Sequence, residues 1–211
     1  MMKGLICSLI YIMLSFGIAM FFLKISKSTF LTRKLLHILM ANWWFIFLRN
    51  IEDKILILGP VSFIIINYLI ERSKKKGYGM TMFAVSLSAM TTVVLLNVRF
   101  LYSATLAILI LGYADPIAAI VGRSYQNYKG YIHQKSLLGS GIFSMVSIAI
   151  MAGLLCYINI ELLKVDIILW GCLFAWVEQK VFPRCDNITV PFSVFIVAIL
   201  RGKICGLLFN Y

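Results

Sequence analysis

"LYSATLAILILGYADPIAAIVGR", residues 101–123, is an apolar run of bilayer length with one acidic side chain inside it. About 20 apolar residues carry a helix across the hydrocarbon core, and this run supplies them. Asp115 is the residue that needs a cause. An ionised carboxylate at that depth costs at least about 2.5 kcal/mol on insertion scales, so it must face a partner, a cavity or a metal. Pro116 follows it and Gly112 lies one turn before it, so the helix is expected to break or kink here and let Asp115 line a polar pocket. A structural ion pair with a basic residue on a neighbouring helix accounts for the aspartate equally well from this stretch alone.

The rest of the chain repeats the pattern. Of its 211 residues, 62% are hydrophobic and 13% charged, and the mean hydropathy is +0.95. A soluble domain carries roughly a quarter charged residues, so there is too little polar surface here to coat a globule in water. Apolar segments recur at 4–23, 35–48, 55–70, 80–97, 101–121, 137–158, 165–182 and 188–208. The expected architecture is an all-α, polytopic membrane bundle of seven or eight transmembrane helices, one domain over 1–211. Lys3 precedes the first run, but "FFLKISKS" (21–28) offers no small-x-small cleavage site, so this segment is read as a retained helix. The cysteines Cys7, Cys156, Cys172, Cys185 and Cys205 are odd in number and form no C-x-x-C pair, a pattern of small hydrophobes and not of a disulfide framework.

The charge is distributed unevenly. With eight helices in alternation, one membrane side receives thirteen of the 20 Lys and Arg residues, among them Lys24, Lys27, Arg33, Lys34, Arg72, Arg123, Lys135 and Lys180. The other receives seven: Lys3, Arg49, Lys54, Arg99, Lys164, Arg201 and Lys203. The positive-inside rule then makes the richer side cytoplasmic, in a cytoplasmic or endoplasmic reticulum membrane. Every unusual polar cluster falls on that side, where a nucleotide would be found. Basic loops also simply fix topology and attract anionic headgroups, and for "ERSKKKG" (71–77) that plainer reading is preferred. Nucleic acid is not an expected partner.

Four clusters carry chemistry. Gly122 lies two helical turns beyond Asp115, on the same face, and Arg123 offers a planar fork for phosphate oxygens. Lys135, Ser136, Gly139 and Ser140 open the following helix, a plausible phosphate cradle of amides, ammonium charge and helix terminus, although it is not a P-loop. Glu178, Asp186 and Asn187 surround the last interhelical turn, Asn187 as a candidate contact for the nucleotide. With Asp115, the two acids suit magnesium, which takes few carboxylates and several waters or phosphates; ordinary turn and cap chemistry explains Asp186 and Asn187 as well. Finally, Arg33 and Lys34 sit where a helix leaves the interface, and His37, one turn inside, is expected to face the bundle interior. Trp43 and Trp44 read as packing or interface anchors.

Taken in order, these stretches resemble the motifs of the CTP-dependent polyprenol and lipid-alcohol kinases: dolichol kinase, phytol kinase and the yeast-type diacylglycerol kinase. A more distant similarity is to phosphatidate cytidylyltransferases. "RKLLH" (33–37) resembles R-K-x-x-H, "DPIAAIVGR" (115–123) D-x-x-A-x-x-x-G-R, "KSLLGS" (135–140) K-[ST]-x-x-G-[ST], and "EQKVFPRCDNITVP" (178–191) E…D-N-x-x-x-P. The motif-bearing region is 33–191. The resemblance implies transfer of the CTP γ-phosphoryl group to a membrane lipid alcohol (polyprenol, dolichol, phytol or diacylglycerol) with Mg²⁺. Activity would depend most on Arg33, Lys34, Asp115 and Gly122, the lysine-serine loop would hold the phosphates, and Asp115 or His37 would accept the alcohol proton. Gln126 and Leu138 stand where the family has a glycine and often an acidic residue. Two alternatives remain: a cytidylyltransferase acting on a lipid phosphate at the same site, and a small transporter whose Asp115 binds an ion or proton. The chain shows no inverted repeat of the transporter kind.

Overall fold

A computed structural model describes residues 2–73, 78–129, 136–157, 164–180 and 186–204. Among them every regular element is helical: α1 (Met2–Ser26), α2 (Thr29–Leu48), α3 (Leu58–Ser73), α4 (Gly79–Leu96), α5 (Leu101–Leu109), α6 (Asp115–Lys129), α7 (Leu137–Tyr157), α8 (Lys164–Lys180) and α9 (Asp186–Ile204), with short 3₁₀ turns before α3 and α5. Five of the described helical rods are long and apolar enough to cross a membrane: 3–26, 54–73, 79–96, 98–125 and 137–157. The chain is an all-α helical membrane bundle.

The first hairpin shows how local chemistry sets the topology. Lys27 takes a left-handed backbone conformation, φ 50°, and its N–H bonds the Leu23 carbonyl at 2.9 Å, closing α1 in the manner of a C-terminal cap. Ser28 then caps α2, its hydroxyl accepting the Leu31 N–H at 3.3 Å. The resulting two-residue link makes α1 and α2 antiparallel neighbours, tied by Trp43 Nε1 donating to Ser8 Oγ (2.6 Å) and the Tyr11 hydroxyl donating to the Leu39 carbonyl (2.7 Å). Because of that cap, α2 begins six residues before the apolar segment read from the sequence, and Arg33 and Lys34 lie inside the helix.

α2 runs through the middle of the bundle. Met40, Ala41, Trp43, Trp44 and Phe47 are fully buried, and Trp44 Nε1 donates to Thr105 Oγ1 of α5 at 2.9 Å. The tryptophans are therefore packing residues. The outside is apolar, as lipid requires: Leu9, Met13, Leu14 and Phe21 of α1 and Ile168, Leu169 and Trp176 of α8 are exposed. α2 carries Arg33, Lys34 and His37 and owes its place to its neighbours, not to lipid.

The rod at 101–129 does not break at Asp115. α5 passes through a π-helical turn, Ile110–Ala114, straight into α6. Pro116 has no N–H for the Gly112 carbonyl, and its ring would crowd that carbonyl in a regular helix; the wider turn before it accommodates both demands. The same turn carries Gly112, where a Cβ would stand 2.1 Å from the Ala41 Cβ of α2. Only glycine permits that approach, a small-residue contact typical of membrane helices. Gly112→Ala should accordingly lower stability by about 1–3 kcal/mol. Gly153→Ala, where no foreign atom lies within 4 Å, should raise it by up to about 1 kcal/mol through helix propensity. Denaturant titration of the purified chain in detergent micelles, followed by circular dichroism, measures both.

Candidate functional site

The π turn and the Gly112–Ala41 contact bring the first turn of α6 against the first turns of α2, and Asp115 meets its partners there. Lys34 Nζ donates to Asp115 Oδ2 at 2.7 Å. His37 Nδ1 lies 3.3 Å from the same oxygen, off the line of a proper N–H···O bond, so neither ring nitrogen has a hydrogen-bond partner among the described residues. The imidazole is 3% exposed and stacks on Phe83 of α4, centroids 4.5 Å apart. Lys34 and His37 are three residues apart and so share a helix face. Of the two accounts of Asp115, the ion pair to a neighbouring helix is the one in place, and a buried imidazole adjoins it. One turn deeper, the Tyr113 hydroxyl donates to Asn42 Oδ1, a second polar tie between the same helices.

Arg33, on the adjacent face of α2, belongs to a different group. Its Nη2 is 3.9 Å from Glu71 Oε1 of α3 and close to Gly79, where a Cβ would stand 2.6 Å from that nitrogen. Glu71 is buried and caps α4 from another helix: it accepts the Met80 N–H (3.0 Å), the Thr81 N–H (3.1 Å) and the Thr81 hydroxyl (2.7 Å). Those amides would otherwise be orphans at a positive helix end. Asn187 completes the group, its Nδ2 donating to the Gly79 carbonyl (2.7 Å) while its own carbonyl accepts from Ser86 Oγ (2.6 Å). Its amide joins α9 to α4.

Gly122, Ser136 and Gly139 form a third group, at the crossing of α6 and α7. A Cβ on Gly122 would stand 2.8 Å from Ser136 Oγ and 3.3 Å from Gly139 Cα, so the two glycines provide close approach. Ser136 Oγ accepts the Gly139 N–H at 3.0 Å and caps α7. Ser140 lies in the same first turn, its buried hydroxyl without a hydrogen-bond partner among the described residues. Arg123 returns to α2, its guanidinium 4.3 Å over the Phe30 ring, a cation–π contact. Lys135 lies outside the described residues.

The third candidate ligand set is arranged differently from its sequence pattern. Asp186 accepts its neighbour's N–H, Asn187 N to Oδ1 at 2.9 Å, in the first turn of α9, and Glu178 is near the end of α8. Among the described residues no group of three His, Cys, Asp or Glu side chains is gathered as metal ligands, so Asp115, Glu178 and Asp186 do not form one carboxylate cluster. A magnesium ion held mainly by phosphates and water needs fewer. Among the described residues both side-chain contacts of Asp115 fall on Oδ2, which suits that case.

Sequence reasoning missed Glu71, Phe83 and Phe30. Glu71 stands just ahead of the Gly-Met-Thr that opens α4, and an acid close to a helix start was the available signal. The two aromatics carried none, since phenylalanines are spread throughout the chain.

Two outcomes follow from this geometry. Lys34→Met leaves a buried carboxylate without its cation and should cost about 3–5 kcal/mol, and Asp115→Asn in the same chain should restore most of it; unfolding titrations of the three variants in micelles give the coupling. Glu71→Gln removes the anion from the start of α4 and should cost about 1 kcal/mol, seen as faster hydrogen exchange at the amides of 80 and 81 than in the parent.

Comparison with protein-family models, with curated proteins and with solved structures finds no match for this chain.

Proposed function

We propose that this protein is a lipid-alcohol kinase that transfers the γ-phosphoryl group of CTP to the hydroxyl of a membrane lipid. The observation that carries the reading is the Lys34–Asp115–His37 cluster, a charged pair with a buried imidazole beside it, Nδ1 3.3 Å from the shared carboxylate oxygen. It lies at the same end of the bundle as Arg33, Arg123 and the Gly122–Gly139 crossing. Phosphoryl transfer asks a protein chiefly for positioning and charge neutralisation, and this end supplies cations on both faces of α2.

In this mechanism the lipid hydroxyl forms a bond to the γ-phosphorus and the bond to the β,γ-bridging oxygen breaks, releasing CDP. The hydroxyl proton passes to His37, whose nitrogens are not committed elsewhere, while Asp115 Oδ2 is occupied by Lys34. Lys34, Arg33 and Arg123 balance charge on the triphosphate oxygens as it grows towards the transition state. Magnesium, carried in with the nucleotide and held at Asp115 Oδ1, would neutralise phosphate charge. The Ser140 hydroxyl, without a hydrogen-bond partner among the described residues, would meet a phosphate at the α7 terminus.

The test uses purified protein in detergent–lipid micelles with Mg²⁺, a mixture of prenols, phytol and diacylglycerol, and CTP labelled at the α- or the γ-phosphate. γ-Label alone should enter lipid, and ATP should be a poor donor. His37→Gln should lower kcat about 10²–10⁴-fold, the usual contribution of a general base, and Asp115→Asn should abolish turnover. α-Label entering lipid when lipid phosphate is present means a cytidylyltransferase. Silence with every donor and acceptor discards the enzyme reading.

A further inference from the structure

A groove separates α1 from α3, floored by the face of α2 that adjoins the one meeting Asp115. The two outer helices touch at their deeper ends, where the Phe16 and Phe63 rings lie 5.9 Å apart, and diverge towards the end that carries Arg33. Between them is a cavity of about 100 Å³. Phe16, Ala19, Met20 and Leu23 of α1 form one wall and Asn67, Ile70 and Glu71 of α3 the other. The floor is one face of α2, residues Thr29, Thr32, Arg33 and Leu36, whose spacing of three, one and three is that of a single helix face.

The lining is sorted along its length. Leu36 and Phe16 are at the deep end, and Thr29, Thr32, Arg33 and Glu71 at the other. Met20 and Ile70 line the groove and are also exposed, so it opens sideways onto the apolar surface that faces the bilayer. From Thr29 to Leu36 the floor rises seven residues, about 10 Å at 1.5 Å per residue. At the roughly 30 Å³ that a water takes up in the liquid, a cavity of this volume holds only about three such groups, which over that length is one chain and not two. The polar end has capacity to spare. Glu71 is committed to α4 through three hydrogen bonds, so it neutralises Arg33 only across 3.9 Å, and the Arg33 side chain remains 45% exposed. Asn67, 2% exposed, has only the Met40 thioether as a hydrogen-bond partner among the described residues, at 3.7 Å. An amide with so weak a partner inside an apolar groove is a ready contact for a hydroxyl.

We infer that the α1–α2–α3 groove binds the single aliphatic or isoprenoid chain of a membrane lipid alcohol, its hydroxyl between Arg33 and Asn67. That the hydroxyl is the phosphoryl acceptor rests on the function proposed above; binding in the groove does not. The occupant follows from the geometry: one-chain width, a lateral opening to the bilayer, and neutral-to-cationic donors at the head. α2 then serves both substrates, Arg33 standing between the lipid hydroxyl and the nucleotide's terminal phosphate, with Lys34 and His37 on the adjoining face.

The experiment uses the full chain in phosphatidylcholine vesicles and a long-chain prenol bearing a photoreactive diazirine in its chain, without nucleotide. Crosslinks are mapped by peptide mass spectrometry. They should fall on α1 and α3 at 19–23 and 67–70, and unlabelled phytol should compete at least tenfold better than diacylglycerol. Ala19→Phe fills the groove and should lower labelling at least tenfold, whereas Ile18→Phe, on the exposed side of α1, should leave it unchanged; retention volume and helicity establish that both variants fold. Arg33→Gln should weaken labelling by the prenol about tenfold and leave a headless hydrocarbon probe unaffected. Crosslinks concentrated on α7 and α8, or equal competition by diacylglycerol, would overturn the assignment. Transfer from CTP is measured in the same vesicles. Groove labelling without transfer leaves the site standing and removes the kinase; transfer with labelling elsewhere does the reverse.

Discussion

The Lys34–Asp115 ion pair is the contact on which the rest of the bundle turns. Either charge alone would be expensive at membrane depth, and in so weak a dielectric the two attract far more strongly than in water. Their meeting fixes α2 against α6, and the neighbouring contacts along that seam agree with it. Ala41 sits on Gly112, Asn42 accepts from Tyr113, and Trp44 donates to Thr105. Polar pairs punctuate an apolar seam, and each has a partner only in one register. Packing between membrane helices gains little from the hydrophobic effect, since lipid is as apolar as leucine; specific polar ties and small residues therefore decide which helices meet.

From that seam the polar end of the bundle is organised around the first turns of α2. Phe30 receives Arg123, Arg33 reaches Glu71 and Gly79, and Lys34 and His37 face Asp115. Four helix starts (α2, α4, α7 and α9) lie in this region, each with its own cap: Ser28, Glu71, Ser136 and Asp186. Several side chains that look like ligand-binding candidates thus have structural work as well. Ser136 and Asn187 join helices, and the two glycines at the α6–α7 crossing let backbones touch. The helix starts at this end are held by these same groups.

Much of this was legible because membrane insertion leaves a coarse record. Hydropathy located the segments, and Asp115 announced itself as the one acid inside the most buried of the spans. Hydropathy alone starts the second segment at 35, whereas the cap at Ser28 starts α2 at Thr29 and takes Arg33 and Lys34 inside the helix. Pro116 suggested a break, and the chain instead widened one turn, because a π turn relieves the proline without exposing backbone to lipid. Glu71 was passed over inside a basic run whose average charge hid a buried acid.

By itself, then, the sequence determined that this chain is a helical membrane protein and that a carboxylate inside a span must find a partner, since composition, span length and the cost of a buried charge are local quantities. Which cation that partner is, that His37 adjoins it, that Arg33 belongs to Glu71 and Gly79, and that a groove opens beside them between α1 and α3 were decided only by tertiary structure. Those facts depend on which faces of α2 meet α1, α3, α4 and α6. That choice is made by contacts between residues as far apart as Phe30 and Arg123, and no periodicity within one helix records it.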